Sequence, residues 1–100
     1  MDINKIQDGD KITFTLSGRL DTTTAPQLQE VLIPSFSEAK HIELDFAGLT
    51  YVSSAGLRVL LMGAKTAKST GGEQSLVNVT ADIMEVFEMT GFSGVLSIKS

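Results

Sequence analysis

Two adjacent serines, Ser53 and Ser54, are the residues of this sequence best placed to do chemistry. They stand where an apolar-alternating run gives way to an apolar helix pattern, in the stretch DFAGLTYVSSAGLRVLL. Serine is a favoured N-cap, because its oxygen accepts a hydrogen bond from a free amide of the first helical turn. The same amides and the helix dipole favour an anion at that end, so a serine there is also well placed to carry a phosphoryl group. The residues alone leave both roles open.

A serine at a strand-to-helix turn is also the arrangement of a hydrolase nucleophile. That motif requires a glycine two residues before the serine, whereas Val52 stands two residues before Ser54. The one histidine, His41, lies at the opposite end of the preceding predicted strand, far beyond hydrogen-bond reach. We therefore expect no catalytic triad.

The residue inventory argues against other kinds of site. With one histidine and no cysteine, the chain offers only scattered carboxylates, without the spacing of metal ligands. It contains neither a phosphate-binding glycine loop nor a dinucleotide-binding fingerprint. We expect no metal and no cofactor.

Several charged residues remain as candidates. Asp21, in GRLDTTT, precedes a predicted helix, where it is either part of the N-terminal cap or part of a surface beside the serine loop. Asp45 near a strand end is better explained as a turn-stabilising carboxylate. Arg58, Met62 and Lys65 lie on the outward face of the next helix, which is either simply solvated or a partner surface built on a flexible methionine.

The composition indicates one globular domain spanning residues 1–100. The chain is 42% hydrophobic and 20% charged, which is enough to bury a core. Its formal net charge of -4 argues against contacts with the phosphate backbone of nucleic acids. The amino-terminal residues do not form a secretory signal, and the densest apolar run, 59–64, is too short to cross a bilayer. We expect a cytoplasmic protein without membrane insertion.

The predicted elements alternate between strands and helices. They are an opening hairpin whose second strand is Lys11–Ser17, ended by Gly18; a helix from about Thr24 that stops or kinks at Pro34; a strand at His41–Phe46; a helix from the serines to Gly71; a strand at Ser75–Val79; a helix at about Ala81–Thr90; and a strand at Val95–Ile98. The order β-β-α-β-α-β-α-β predicts an α/β fold, with helices packed on a mixed sheet. The serine loop then lies beyond the carboxyl end of a parallel strand, which is the usual functional edge.

Three stretches together resemble the STAS domain of anti-sigma factor antagonists across essentially the whole chain. They are GRLDTTTAPQLQEVL, HIELDFAGLTYVSSAGLRVLL and NVTADIMEVFEMTGF, in the order and at the spacing of that family. The resemblance implies a partner-switching module rather than an enzyme. In that family the unphosphorylated domain binds an anti-sigma factor serine kinase, phosphorylation releases it, and a metal-dependent serine phosphatase restores binding.

The same resemblance assigns residues. The family's S-A-G-L pattern matches residues 54–57, which implies phosphorylation at Ser54, and Asp21 matches an acidic position near the kinase contact surface. The partner-binding surface that this implies contains Asp21, Thr22, Ser53, Ser54, Gly56, Arg58, Met62 and Lys65.

One position departs from the family pattern. Many phosphorylated members carry aspartate where this chain has Ser53. The departure leaves two alternatives, modification at Ser53 or a domain on which no kinase acts. In the second case the chain would be a non-phosphorylated adaptor of a larger complex, such as a stress-signalling scaffold or a lipid-transport assembly.

Overall fold

Four β-strands form one mixed sheet in the computed structural model, which describes residues 1–99. They are β1 (Asp2–Asp8), β2 (Lys11–Leu20), β3 (His41–Val52) and β4 (Glu73–Val77), and their order across the sheet is β1-β2-β3-β4. The first two strands pair antiparallel as a hairpin, whereas β3 is parallel to both β2 and β4. The predicted hairpin and mixed sheet are confirmed.

Three helices cover one face of this sheet: α1 (Ala25–Ser35), α2 (Ser54–Thr70) and α3 (Ala81–Thr90). On β2, the fully buried side chains of Ile12, Phe14 and Leu16 alternate with half-exposed threonines, which gives the strand one core face and one solvated face. The helices contribute leucines and phenylalanines to the same core; for example, the rings of Phe46 and Phe87 pack 6.3 Å apart.

The strand β3 is longer than predicted because two irregularities change its period. While β2 advances from Thr15 to Leu20, β3 advances from Asp45 to Val52, so β3 contains two extra residues. From the first irregularity onward, the buried side chains are Phe46, Leu49 and Val52, three residues apart instead of two. Alternation therefore ends at Phe46, where the sequence predicted the end of the strand, although pairing continues to Val52.

The predicted boundary at Gly18 was wrong, whereas the predicted end of the first helix at Pro34 is met to within one residue. Strand β2 continues past Gly18 to Leu20, because Gly18 adopts a positive φ of 97° at a register shift without leaving the sheet. Helix α1 includes Pro34 and ends one residue later, at Ser35. A proline this close to the end removes a single backbone donor, so it does not stop the helix earlier.

The predicted strand Val95–Ile98 is reduced to one isolated bridge, between Ile98 and Leu76 of β4. The residues before it turn back on themselves, since the amides of Val95 and Leu96 both donate to the carbonyl of Phe92. β4 itself lies two residues earlier than predicted and ends before Asn78, whose φ of 56° is left-handed. Within residues 1–99, no helix has the length and apolar character that crossing a membrane requires.

Candidate partner-binding site

The loops that carry Asp21 and the two serines meet at one edge of the sheet. Leu20 and Val52 are paired across the parallel strands β2 and β3, and each loop begins at the next residue. The amide of Ser53 donates to the carbonyl of Leu20 at 2.8 Å, which ties the two loops together. The expectation that the Asp21 loop lies beside the serine loop is confirmed.

The two serines have different surroundings. Ser53 is the N-cap of α2: its backbone is extended, and its Oγ accepts a hydrogen bond from the amide of Gly56 at 3.2 Å. Ser54 is the first residue of α2 and is exposed, and its hydroxyl makes no hydrogen bond to residues 1–99. Capping therefore belongs to Ser53, and the hydroxyl of Ser54 faces solvent at the amino-terminal end of a helix.

Asp21 organises the turn that leads into α1. Its Oδ1 accepts hydrogen bonds from the Thr23 amide at 3.0 Å, the Thr23 hydroxyl at 2.7 Å and the Thr24 amide at 3.2 Å. Thr24 occupies the N-cap position but makes no capping bond with its side chain, whose hydroxyl donates instead to the carbonyl of Arg19. The bond from the Thr23 hydroxyl is the largest influence on the Asp21 carboxyl and lowers its pKa; burial opposes it, and the two backbone amides add to it.

The lowered pKa of Asp21 predicts an acid-dependent contribution to stability. Stability contributed by the charged carboxylate is complete above its unfolded pKa of about 3.8 and disappears as the pH falls through the lower folded pKa. The substitution Asp21→Asn keeps an acceptor oxygen but removes the charge, so wild type should exceed this variant in urea midpoint at pH 7, with a gap that closes between about pH 4 and pH 2. Asp2→Asn, at an exposed carboxylate on β1, is the matched control. A gap that persists unchanged at the lowest pH would contradict the assigned cause.

Arg19 and Tyr51 form a contact that the sequence analysis missed. Their positions are paired across β2 and β3, and the guanidinium carbon of Arg19 lies 4.2 Å from the centroid of the Tyr51 ring. The Arg19 Nε is 3.8 Å from Asp21 Oδ2, and 41% of Tyr51 is exposed. The two residues are far apart in sequence, and the bulges of β3 set their register, so no local pattern signals the contact.

The remaining predicted surface residues divide by exposure. Thr22 is exposed at the Asp21 turn, while Arg58 and Lys65 are exposed on α2 with Met62 half-buried between them. Gly56 is different because it is buried against Leu20: a Cβ at this position would lie 2.7 Å from Leu20 Cγ and 3.0 Å from the Leu20 carbonyl oxygen. Gly56 thus sets how closely α2 approaches β2, and it offers a partner no exposed surface.

Two other expectations concern side chains away from this edge. Asp45 stabilises a turn, as predicted, because its Oδ1 accepts hydrogen bonds from the Ala47 amide and from the Asn78 side chain, both at 3.0 Å. His41 is exposed at the start of β3, about 30 Å along the strand from the serines. Within the described residues, no three His, Asp or Glu side chains lie close enough to hold a metal ion.

Comparison with known proteins places this geometry in a family. The family model described as "Mlab, STAS domain" matches residues 3–97. The anti-sigma-B factor antagonist of Bacillus subtilis is 27% identical over 94% of this chain and 86% of its own length. A candidate anti-sigma factor antagonist of Bordetella bronchiseptica, BtrV, is 34% identical over 85% of this chain and 74% of its own length.

Solved structures show the same fold. An anti-sigma factor antagonist from Mycobacterium paratuberculosis superposes with a TM-score of 0.85 at 16% identity, covering 97% of this chain and 83% of that one. The unphosphorylated form of the anti-sigma factor antagonist SpoIIAA gives a TM-score of 0.78 at 16% identity, covering 99% of this chain and 88% of that one. The phosphorylated form of SpoIIAA from Bacillus gives a TM-score of 0.77 at 17% identity, covering 99% of this chain and 92% of that one. From the family match, the curated relatives and the fold, the chain belongs to the STAS domain family, which includes the anti-sigma factor antagonists.

Proposed function

We propose that residues 1–100 form a single STAS domain that acts as an anti-sigma factor antagonist. Unphosphorylated, it binds an anti-sigma factor serine kinase, and phosphorylation of Ser54 by that kinase releases it. A serine phosphatase then restores the binding form. The exchange takes place in the cytoplasm, and the chain contributes a binding surface without catalysing a reaction. The curated relatives that carry the name of anti-sigma factor antagonist support this function.

The observation that carries the proposal is the state of the Ser54 hydroxyl. It is exposed, it is not used as the helix cap, and it lies at the amino-terminal end of a helix of 17 residues. A transferred phosphoryl group at this point meets free helix amides and the positive end of the helix dipole. The adjacent Asp21 and Thr22 extend the same exposed edge, so a partner that reaches Ser54 also covers them.

The physical effect of the phosphate is to block an interface. Converting a micromolar complex to a millimolar one requires about 4 kcal/mol. A phosphate with a charge of about -1.5 to -2 that must lose water against a partner surface can supply this free-energy difference. The interaction of the phosphate with the dipole of its own helix, about 0.3 to 1 kcal/mol, is too small to refold the domain.

The first test is the position of the phosphate. Each anti-sigma factor serine kinase encoded in the same genome is purified and incubated with ATP and the chain, and the product is mapped by fragmentation mass spectrometry. We expect one phosphate on Ser54, retained in Ser53→Ala and absent from Ser54→Ala. A phosphate on Ser53 alone would contradict the assignment, and the absence of any phosphate with a kinase proven active on another substrate would contradict the switch.

A constitutive adaptor is the alternative function. It is favoured by one observation, that Ser53 is a neutral N-cap where many phosphorylated members of the family carry aspartate. An adaptor would use the same edge to join a larger complex without being modified. The distinguishing result is a stable complex with a partner, together with no change in intact mass on incubation with the kinases and ATP.

A further inference from the structure

We infer that Arg19 and Tyr51 form a second recognition point at the sheet edge that carries Asp21, Ser53 and Ser54. This pair binds a carboxylate of the kinase. The inference rests on the proposed function, because it concerns the same partner. It adds a pair of contact residues and the chemistry of the group that they bind.

The geometry fixes the cation on a solvated surface. Arg19 and Tyr51 are neighbours across parallel strands, and the residues that follow them, Leu20 and Val52, are buried. Arg19 and Tyr51 are themselves exposed, so their side chains lie on the solvent side of the strands, away from the core. The distance of 4.2 Å from the guanidinium carbon to the ring centroid is that of a cation–π contact, which holds the guanidinium in place before any partner arrives.

The guanidinium is positioned but its donors are not used. Among residues 1–99, no acceptor lies within hydrogen-bond distance of the Arg19 side chain, since even Asp21 Oδ2 is 3.8 Å from Nε. Asp21 cannot readily move closer, because three donors from Thr23 and Thr24 hold its other oxygen. The planar fork of an arginine matches a carboxylate with two parallel hydrogen bonds, so a carboxylate is the group that these donors fit.

The location and residue types suit an interface. Arginine and tyrosine are the residue types that often carry the binding energy of protein complexes, and a preordered side chain loses less entropy on binding. Arg19 and Tyr51 lie two residues before Asp21 and Ser53 on their strands, so the pair is near the edge that a partner of Ser54 would cover.

The chain provides a direct probe, because Tyr51 is its only tyrosine. Fluorotyrosine incorporated at this single position gives one fluorine NMR signal from the Arg19–Tyr51 pair. We expect this signal to shift when the kinase identified by phosphorylation is added. Arg19→Glu should weaken kinase binding by about 30-fold or more, and Arg19→Lys, which keeps the charge but loses the fork, by about 5-fold. Tyr51→Phe keeps the aromatic face and should remain within about 2-fold of wild type.

Lys40→Glu is the matched control, since Lys40 is an exposed cation just before the amino end of β3, at the opposite edge of the sheet. It should change kinase binding by less than about 2-fold. Binding with an unchanged fluorine signal and unchanged affinity of Arg19→Glu would overturn the inference while leaving the proposed function intact. Absence of binding by the unmodified chain would overturn both. A fluorine shift produced by Ser54 phosphorylation alone, with Arg19→Glu binding normally, would assign the guanidinium to the chain's own phosphate and also overturn the inference.

Discussion

Ser54→Asp is expected to weaken binding to the anti-sigma factor kinase by about 100-fold or more while leaving the fold intact. An acidic residue at the first position of α2 interacts favourably with the helix dipole, so no loss of stability is expected. In the complex, the same carboxylate must lose water against the partner, a cost that can reach several kcal/mol. Calorimetric titration gives the affinity, and thermal melts of the same samples give the stability.

Two serine variants separate charge from capping. Ser54→Ala should bind like wild type and melt close to it, because the capping oxygen belongs to Ser53. Ser53→Ala should lose about 1 kcal/mol of stability, because the hydrogen bond from the Gly56 amide to the Ser53 hydroxyl oxygen is removed. If Ser54→Ala, Ser54→Asp and wild type bind equally, the serine edge lies outside the interface and the proposed switch is wrong.

Gly56→Ala is expected to destabilise the domain by about 1.5 to 3 kcal/mol, although alanine is the better helix former by about 1 kcal/mol. The new methyl would lie 2.7 Å from Leu20 Cγ and 3.0 Å from the Leu20 carbonyl oxygen. Leu20 is fully buried, and its carbonyl already accepts the amide of Ser53, so neither atom can move without cost. The strain would displace the start of α2, and urea unfolding measures the loss of stability.

A double-mutant cycle tests the cause of that loss. Leu20→Ala removes the closest side-chain atom, so adding Gly56→Ala in that background should cost less than it does in wild type. Gly94→Ala is the control for glycine replacement, because a Cβ at Gly94 meets nothing within 4 Å. Equal penalties for Gly56→Ala in the two backgrounds would show that contact with the Leu20 side chain is not the source.

Local sequence patterns predicted the strands and helices that are determined by neighbouring residues, through side-chain alternation or helix capping. The alternation of Ile12, Phe14 and Leu16 predicted β2, and the cap-then-apolar pattern after Ser53 predicted α2. They failed where pairing with a distant strand decides the outcome. The bulges of β3 keep Leu49 and Val52 buried without alternation, and the Val95–Ile98 segment makes a single bridge because its preceding residues turn back on Phe92.

The site was predictable in position but not in its division of roles. The serines and Asp21 follow strand ends, which is a topological rule, and the structure brings their loops together. Nothing in two adjacent serines indicates which of them caps the helix, because that depends on backbone angles at one residue. The Arg19–Tyr51 contact depends on exact register between strands that are distant in sequence.

The hydrogen bond from the Ser53 amide to the Leu20 carbonyl joins parts of the chain that are more than 30 residues apart in sequence. Parallel pairing at that separation requires closure of a long loop before it gains any contact energy, so it belongs to the slow, non-local part of folding. The edge that carries Asp21, Ser53 and Ser54 therefore forms only once β2 and β3 have paired. A partner that contacts both loops of this edge would bind only folded molecules. The number of domains able to bind in a cell would therefore follow the folded population instead of the amount synthesised.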